Sequence, residues 1–414
     1  MGMNMKILVI GSGGREHAIG WKLSQTPGTE LYFAPGNGGT AQIGENININ
    51  VDEIQNLADF AEKTKIDMTV VGPELPLTIG VADEFNKRGL KIFGPGKEGA
   101  KLEGSKAFAK QFMKKYDIPT AKYTAVTELD TGLEVIRQST FPVAVKADGL
   151  AAGKGVIICM NKKEAEEALK DMLETGVFGE AGSTVIIEEF LVGKEVSLVC
   201  FTDGDTIIPM ETASDYKRAL DNDLGANTGG MGCISPSPYY TPGLGDDIAQ
   251  KTLEGIKKEN FDYRGVIYIG LILTETGPKV LEYNVRFGDP ETEVVLPRLE
   301  SCLANIMKAT IDKCLSDIKL QWNEKRAICV VMASEGYPGK YETGFEINIP
   351  EVDSTVFHAG TTEANGKPVT NGGRVLTVTA LGTSFDDART AVYNDINKIS
   401  FRGNTYRSDI GVIK

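Results

Sequence analysis

The run Val280-Leu281-Glu282-Tyr283-Asn284-Val285-Arg286-Phe287-Gly288-Asp289-Pro290-Glu291 sets an acid, an amide and a guanidinium at alternate positions of a strand-like segment. Side chains alternate across a strand, so Glu282 and Asn284 share one face and Arg286 continues it. An anionic and a neutral oxygen donor side by side suit Mg²⁺, or Mn²⁺ in its place, that also holds nucleotide phosphates, because magnesium keeps few protein ligands. Arg286 would then face a developing negative charge. The alternative is a surface strand closed by a salt bridge.

Working outward, Val145-Lys146-Ala147-Asp148-Gly149-Leu150-Ala151-Ala152-Gly153-Lys154-Gly155-Val156 ends a strand on a lysine and continues into a hairpin of small residues. Such a lysine can reach nucleotide phosphates, and the hairpin can fold over them. It is not a Walker loop, since Lys154 precedes Gly155 and a strand follows where a helix should. In Val185-Ile186-Ile187-Glu188-Glu189-Phe190-Leu191 an apolar strand runs into a linker, with Glu195 just beyond. It offers backbone groups to an adenine edge, an aromatic wall, and carboxylates to ribose hydroxyls, although alone it is an ordinary strand end. Near the N-terminus, Gly11-Ser12-Gly13-Gly14-Arg15 joins a strand to a helix. Glycines, free helix amides and an arginine could hold a phosphate there, and a tight turn with a salt-bridged arginine is the competing explanation. Glu16 occupies the position where a dinucleotide fingerprint needs its third glycine.

The N-terminal region alternates strands (Lys6–Ile10, Met68–Val71, Leu90–Phe93) with helices (Glu16–Ser24, Ile79–Lys87), which implies a parallel sheet with helices on both faces. Its glycine-bearing turns follow strand C-termini, where ligands collect in open α/β sheets. From Pro119 to Leu191 the strands Val143–Lys146 and Val156–Cys159 and the helix Lys163–Leu173 describe a small α+β unit suited to act as a lid. Glu195–Phe201, Gly265–Thr274 and Lys279–Tyr283 read as a larger antiparallel sheet, packed by Ile248–Lys258 and Leu303–Ser316. The strands Arg326–Met332 and Arg374–Ala380 and the helix Phe385–Lys398 form a closing unit. The expected organisation is multidomain, α/β and α+β: 1–118, 119–191, 192–324 and 325–414. No repeat or low-complexity linker separates these units.

The chain has 414 residues, 57 acidic against 44 basic, for a formal charge of −13. That argues against a nucleic-acid surface, while a few basic residues in a cleft could still attract a small anion. The six cysteines form no CxxC pair and are expected as buried free thiols in a reducing compartment. Only His17 and His358 are present, which excludes a histidine-rich metal site. No signal peptide precedes the first strand, Lys6 defeats the myristoylation pattern begun by Gly2, and no apolar stretch approaches a membrane span. A cytoplasmic location is expected, with no nucleic acid and no membrane as partner.

Together these segments resemble the ATP-grasp ligases and, more narrowly, the phosphoribosylamine–glycine ligase (glycinamide ribonucleotide synthetase) family of purine biosynthesis. The resemblance spans nearly the whole length. It takes in Gly13-Gly14-Arg15-Glu16-His17-Ala18, Ala34-Pro35-Gly36-Asn37, Val71-Gly72-Pro73-Glu74, Leu102-Glu103-Gly104-Ser105-Lys106, Asn227-Thr228-Gly229-Gly230-Met231-Gly232 and Arg407-Ser408-Asp409-Ile410-Gly411. It implies an N-terminal open parallel α/β sheet, an ATP-grasp core of two α+β subdomains and a small C-terminal closing domain. It also implies ATP- and magnesium-dependent ligation of glycine to 5-phosphoribosylamine through glycyl phosphate. Lys106, Lys146 and the hairpin residues Gly149, Ala152, Gly153 and Lys154 would take the ATP phosphates. Glu188, Glu189, Phe190, Leu191 and Glu195 would hold adenine and ribose, and Glu282 and Asn284 the metal. Gly13, Gly14, Arg15, Gly36, Asn37, Gly72, Pro73 and Glu74 would hold phosphoribosylamine. Asp215, Lys217, Arg286 and Gly288 would form the glycine and acyl-phosphate pocket, with Arg286, Lys146, Asp215 and Lys217 as the catalytic set. Tyr268–Leu273 lacks the additional metal carboxylate found in many members of the superfamily. An acyl phosphate hydrolyses in water, so closure of the small unit over ATP before chemistry is expected. A monomer is expected, meeting the upstream amidotransferase transiently. Two alternatives stay open: a sibling ligase of purine metabolism with another acyl donor, and a non-catalytic nucleotide-binding regulator.

Overall fold

The computed structural model describes residues 5–149, 155–174 and 182–413. The first unit holds strands β1 (Met5–Gly11), β2 (Thr29–Pro35), β3 (Glu45–Asn46), β4 (Met68–Val71) and β5 (Ile92–Phe93), all parallel in the order β3-β2-β1-β4-β5. Alternate residues of β1 feed opposite faces: Leu8 and Ile10 join Leu57 and Phe85, whereas Ile7 and Val9 join Ile19 and Leu23. A strand buried on both faces reads as an unbroken apolar run. Its helices are α1 (Gly14–Ser24), α2 (Ile54–Thr64), α3 (Glu74–Thr78), α4 (Val81–Lys87), α5 (Lys97–Gly104) and α6 (Lys106–Lys115). The helix expected over Ile79–Lys87 begins later, because Gly80 takes φ +97° and separates α3 from α4.

The small unit is an antiparallel sheet of β6 (Tyr123–Val126), β7 (Val143–Ala147), β8 (Val156–Cys159) and β9 (Val185–Glu189) in the order β6-β9-β7-β8. Helices α7 (Leu129–Gln138) and α8 (Lys162–Leu173) cover it, and it has a core of its own around Val145, Leu169 and Ile187.

Next come β10 (Lys194–Thr202), β11 (Ile207–Pro209), β12 (Ser214–Asp215), β13 (Arg218–Leu220), β14 (Leu224–Asn227), β15 (Gly232–Ser235), helix α9 (Asp246–Lys258), β16 (Gly265–Thr274) and β17 (Gly277–Asn284). Of these, β11-β10-β16-β17 form the larger antiparallel sheet. Beyond α10 (Glu291–Val295), helix α11 (Leu303–Ile311) packs on its face. This helix was expected to reach Ser316, but Lys313 adopts φ +56° and the chain turns away.

The last sheet joins β12 and β15 to later strands: β18 (Arg326–Ser334), β19 (Thr355–His358) and, beyond the hairpin β20 (Thr361–Ala364) and β21 (Lys367–Thr370), β22 (Arg374–Gly382). Its order is β12-β15-β18-β22-β19, with helix α12 (Phe385–Ile396) against it. Segment Ser214–Ser235 therefore ties the larger unit to the C-terminal strands. All six cysteines are free; Cys302 and Cys314, at the two ends of α11, are half-buried where full burial was expected. Among the described residues no helix is long and apolar enough to cross a membrane.

Candidate active site

Strand β17 carries a bulge at Leu281: Val280 pairs with Leu271 and Glu282 with Gly270. Strict alternation would put Val280 and Glu282 on one face. The bulge absorbs the extra residue, so Val280 and Tyr283 are buried while Glu282 is exposed. Gly270 leaves the room: a Cβ there would lie 3.2 Å from Glu282 Cγ. Glu282 and Asn284 share the cleft face as the spacing implied. Among the described residues neither side chain has a hydrogen bond or ion pair. Partial desolvation would raise the Glu282 carboxyl, yet the field of Lys217, Lys146, Lys106 and Arg286 outweighs it and holds it low. No group of three or more His, Cys, Asp or Glu among the described residues is placed to hold a metal ion. An anion and an amide, both unengaged, fit Mg²⁺, whose remaining positions would go to phosphate oxygens and water.

Apart from Asp215 and the buried Glu293, whose two oxygens have no hydrogen-bond partner among the described residues, the other acids around the cleft are engaged. Arg286 does not stand free: its Nη2 lies 2.8 Å from Glu103 Oε1 and its Nε 3.5 Å from Glu74 Oε2. Glu103 also accepts from the Val285 amide at 2.7 Å, which pins this arginine to the N-terminal unit. Glu291 accepts from Ser197 Oγ at 2.9 Å and Tyr268 Oη at 3.0 Å, and a Cβ at Gly288 would meet its Oε2 at 2.4 Å. A side chain at Gly288 would therefore crowd the Glu291 carboxylate. Lys217 pairs with Glu195 at 2.7 Å. Burial pushes the Asp215 carboxyl up to about 7, Lys217 opposing and Glu291, Glu195 and Glu282 assisting.

At the phosphate end, Ser105 caps α6 by accepting from the Phe108 amide at 3.1 Å, which sets Lys106 on the first turn. Lys106 Nζ donates to Gly149 O at 3.1 Å, at the foot of the glycine-rich hairpin. Ala152, Gly153 and Lys154 lie outside the described residues. Lys146 Nζ lies 3.0 Å from Glu188 Oε2, and Lys110 Nζ 3.2 Å from Glu188 Oε1. The Glu188 carboxylate is thus buried between two lysines. Glu189 likewise accepts from the Lys122 amide at 3.0 Å and pairs with Lys279 at 3.4 Å. The Glu189 amide donates in turn to Lys122 O at 3.0 Å, and the Phe190 ring beyond it is exposed.

The turns expected to hold phosphoribosylamine converge beside Arg286 and Asp289. Arg15 donates to Glu16 Oε1 at 2.5 Å and to Phe287 O at 3.2 Å, while Glu16 Oε2 caps α1 through the Gly13 amide at 2.5 Å. Asn37 is saturated: its amide donates to Ser12 O and His358 O, both at 2.8 Å, and its Oδ1 accepts from Gly39 and Thr40. It shapes this end of the cleft by joining Gly36 and its neighbours to the turn after β1. Lys110, Glu103, Glu291, Ser197 and Tyr268 were not singled out from the sequence. Glu103 and Glu291 lie inside quoted segments without a role assigned to them, and Lys110 stands one helical turn from Lys106.

A two-part α+β core with Lys106 and Lys146 on one side and an acid–amide pair on the other defines an ATP-grasp ligase. The chain belongs to the phosphoribosylglycinamide synthetase family. The family's N domain matches residues 5–103, its ATP-grasp (A) domain 104–292 and its C domain 327–413. It is similar to the phosphoribosylamine–glycine ligase of Caldanaerobacter subterraneus, at 51% identity over 98% of this chain and 99% of that one. The Clostridium acetobutylicum ligase of the same name is 49% identical over 99% and 100%. The crystal structure of the Thermotoga maritima phosphoribosylamine–glycine ligase superposes with a TM-score of 0.88, at 38% identity over 98% of this chain and all (100%) of that one. The biotin carboxylase domain of Hydrogenobacter thermophilus 2-oxoglutarate carboxylase shares the fold alone, with a TM-score of 0.74 at 16% identity over 97% and 91%. The chain is accordingly a ligase of purine biosynthesis.

Proposed function

We propose that the chain ligates glycine to 5-phosphoribosylamine through glycyl phosphate, yielding glycinamide ribonucleotide, ADP and phosphate. A glycine carboxylate oxygen bonds to the ATP γ-phosphorus as the bond to ADP breaks. The amine then attacks the glycyl carbonyl carbon, a C–N bond forms, the C–O bond to phosphate breaks, and the nitrogen loses a proton. The observation that carries this reading is the unengaged pair Glu282 and Asn284, set among Lys106, Lys146, Lys217 and Arg286. Transfer between two anions is a problem of positioning and charge neutralisation, which lysines and an arginine meet without an acid–base dyad. Mg²⁺ or Mn²⁺ held by Glu282 and Asn284 would neutralise phosphate charge. Lys106 and Lys146 would orient the phosphates, Asp215 would hold the glycine ammonium with Lys217 beside it, and Arg286 would meet the acyl phosphate. The turns at Gly13–Arg15, Gly36–Asn37 and Gly72–Glu74 would receive phosphoribosylamine. Free cysteines suit a reducing cytoplasm, where the chain would act as a monomer meeting the upstream amidotransferase transiently.

The test is ADP release with phosphoribosylamine and each of glycine, formate and bicarbonate. Release that requires both glycine and the amine is expected. Turnover with formate or bicarbonate instead would identify a sibling ligase, and nucleotide binding without turnover of any donor would return the regulator.

A further inference from the structure

Lys110 is among the largest fully buried side chains, and its ammonium cannot reach the cleft. Besides Glu188 Oε1 at 3.2 Å it donates to Thr120 Oγ1 at 2.7 Å, whose own proton goes to Val280 O at 2.6 Å. It also lies 5.8 Å from the Tyr123 ring centroid. Burial lowers it to about 8 against the pull of Glu188. Helix α6, strand β9 and strand β7 are tied here through one carboxylate that serves two ammonium groups, Lys110 on one oxygen and Lys146 on the other. A buried ion pair is weak evidence of a stabilising role, because an apolar replacement is often neutral. The charge count points elsewhere. Two cations on one anion leave one net positive charge, and Lys146 is the more open end, with 12% of its side chain exposed against 2% for Lys110.

We infer that Lys110 is a positioning residue for ATP: by occupying one oxygen of Glu188 it keeps the Lys146 ammonium directed into the cleft and its charge uncancelled. The inference rests on the reading that Lys146 meets ATP phosphates. Without Lys110, both oxygens of Glu188 would turn to Lys146, and the lysine would be drawn down and neutralised.

The experiment compares KM for ATP, KM for glycine and kcat in Lys110→Met, Lys110→Met/Glu188→Gln and Lys146→Met. Lys110→Met should raise KM for ATP on the order of tenfold, the scale of one charge-assisted contact, with KM for glycine unchanged. Adding Glu188→Gln restores one net positive charge and should return KM for ATP to within about threefold of the parent. A double variant as impaired as Lys110→Met, or a Lys110→Met enzyme with unaltered KM for ATP, would overturn the inference. If Lys110→Met alone does not fold, the double variant decides, since it buries neither charge. Unchanged KM for ATP in Lys146→Met would instead refute the phosphate role of Lys146, a separate failure.

Discussion

Glu282 and Asn284 differ from their neighbours in what they lack. Glu74, Glu103, Glu188, Glu189, Glu195 and Glu291 each have a cation or a hydroxyl, whereas Glu282 is surrounded by four cations and bonded to none. Replacing it with alanine should cut turnover on the order of a hundredfold or more, as loss of a transition-state charge contact does, with ATP-analogue binding reduced but measurable by titration calorimetry. Full turnover in Glu282→Ala would remove the pair from the chemistry. These two residues were legible because strand periodicity alone puts them on one face. The partners of Arg286, Lys146 and Glu195 were not, since each lies far away in sequence and pairing is decided by how the units pack. That is why the pairing of Glu188 with Lys110 and Lys146 could not be read from the strand that carries it.

Elements whose ends are marked by chain chemistry were readable to the residue, as Met68–Val71, Val156–Cys159 and Gly265–Thr274 show. Strand β2 and helix α2 lacked a cue strong enough to single them out; the helices drawn over Ile79–Lys87 and Leu303–Ser316 meet residues of positive φ, while the one drawn over Phe385–Lys398 overran α12, which ends at Ile396. The turns after β1 and β4 illustrate what packing adds. Glu16, 2% exposed, fills the space between them, so a Cβ at Gly72 would lie 2.0 Å from its Oε1 and one at Gly11 2.5 Å from its Cγ. Gly72→Ala should therefore cost about 1–3 kcal/mol, the usual penalty of overpacking, and show a lower urea midpoint with unchanged slope. A midpoint equal to the parent would mean that Glu16 yields freely.

Across the whole molecule, α1 of the first unit meets β19 of the last through two buried histidines. The His358 amide donates to His17 Nδ1 at 2.8 Å, and the rings sit 5.6 Å apart. Burial, and for His17 the neighbouring His358, lowers them to about 3 and about 4. Protonating Nδ1 would set a donor against a donor. The unfolded chain takes up these protons near pH 6.5, before the folded one does, so stability is complete above that value. It declines as pH falls toward 4, by about 1.4 kcal/mol per pH unit for each histidine. Thermal melts from pH 7.5 to 4.5 should show this slope, roughly halved in His17→Gln; an equal slope in the variant would exclude the pair.

The sheet that unites β12 and β15 with β18 also sets a timetable. A ribosome delivers Ser214–Ser235 well before Arg326–Ser334, the strand on which β15 closes. The small unit has a core of local origin and can mature during elongation, whereas the N-terminal sheet shares its core with later strands such as β16. Asp215 and Lys217 must wait on an open edge until the late strand arrives. The nascent polypeptide is thereby kept from fixing the surroundings of Asp215 until most of its length has been translated.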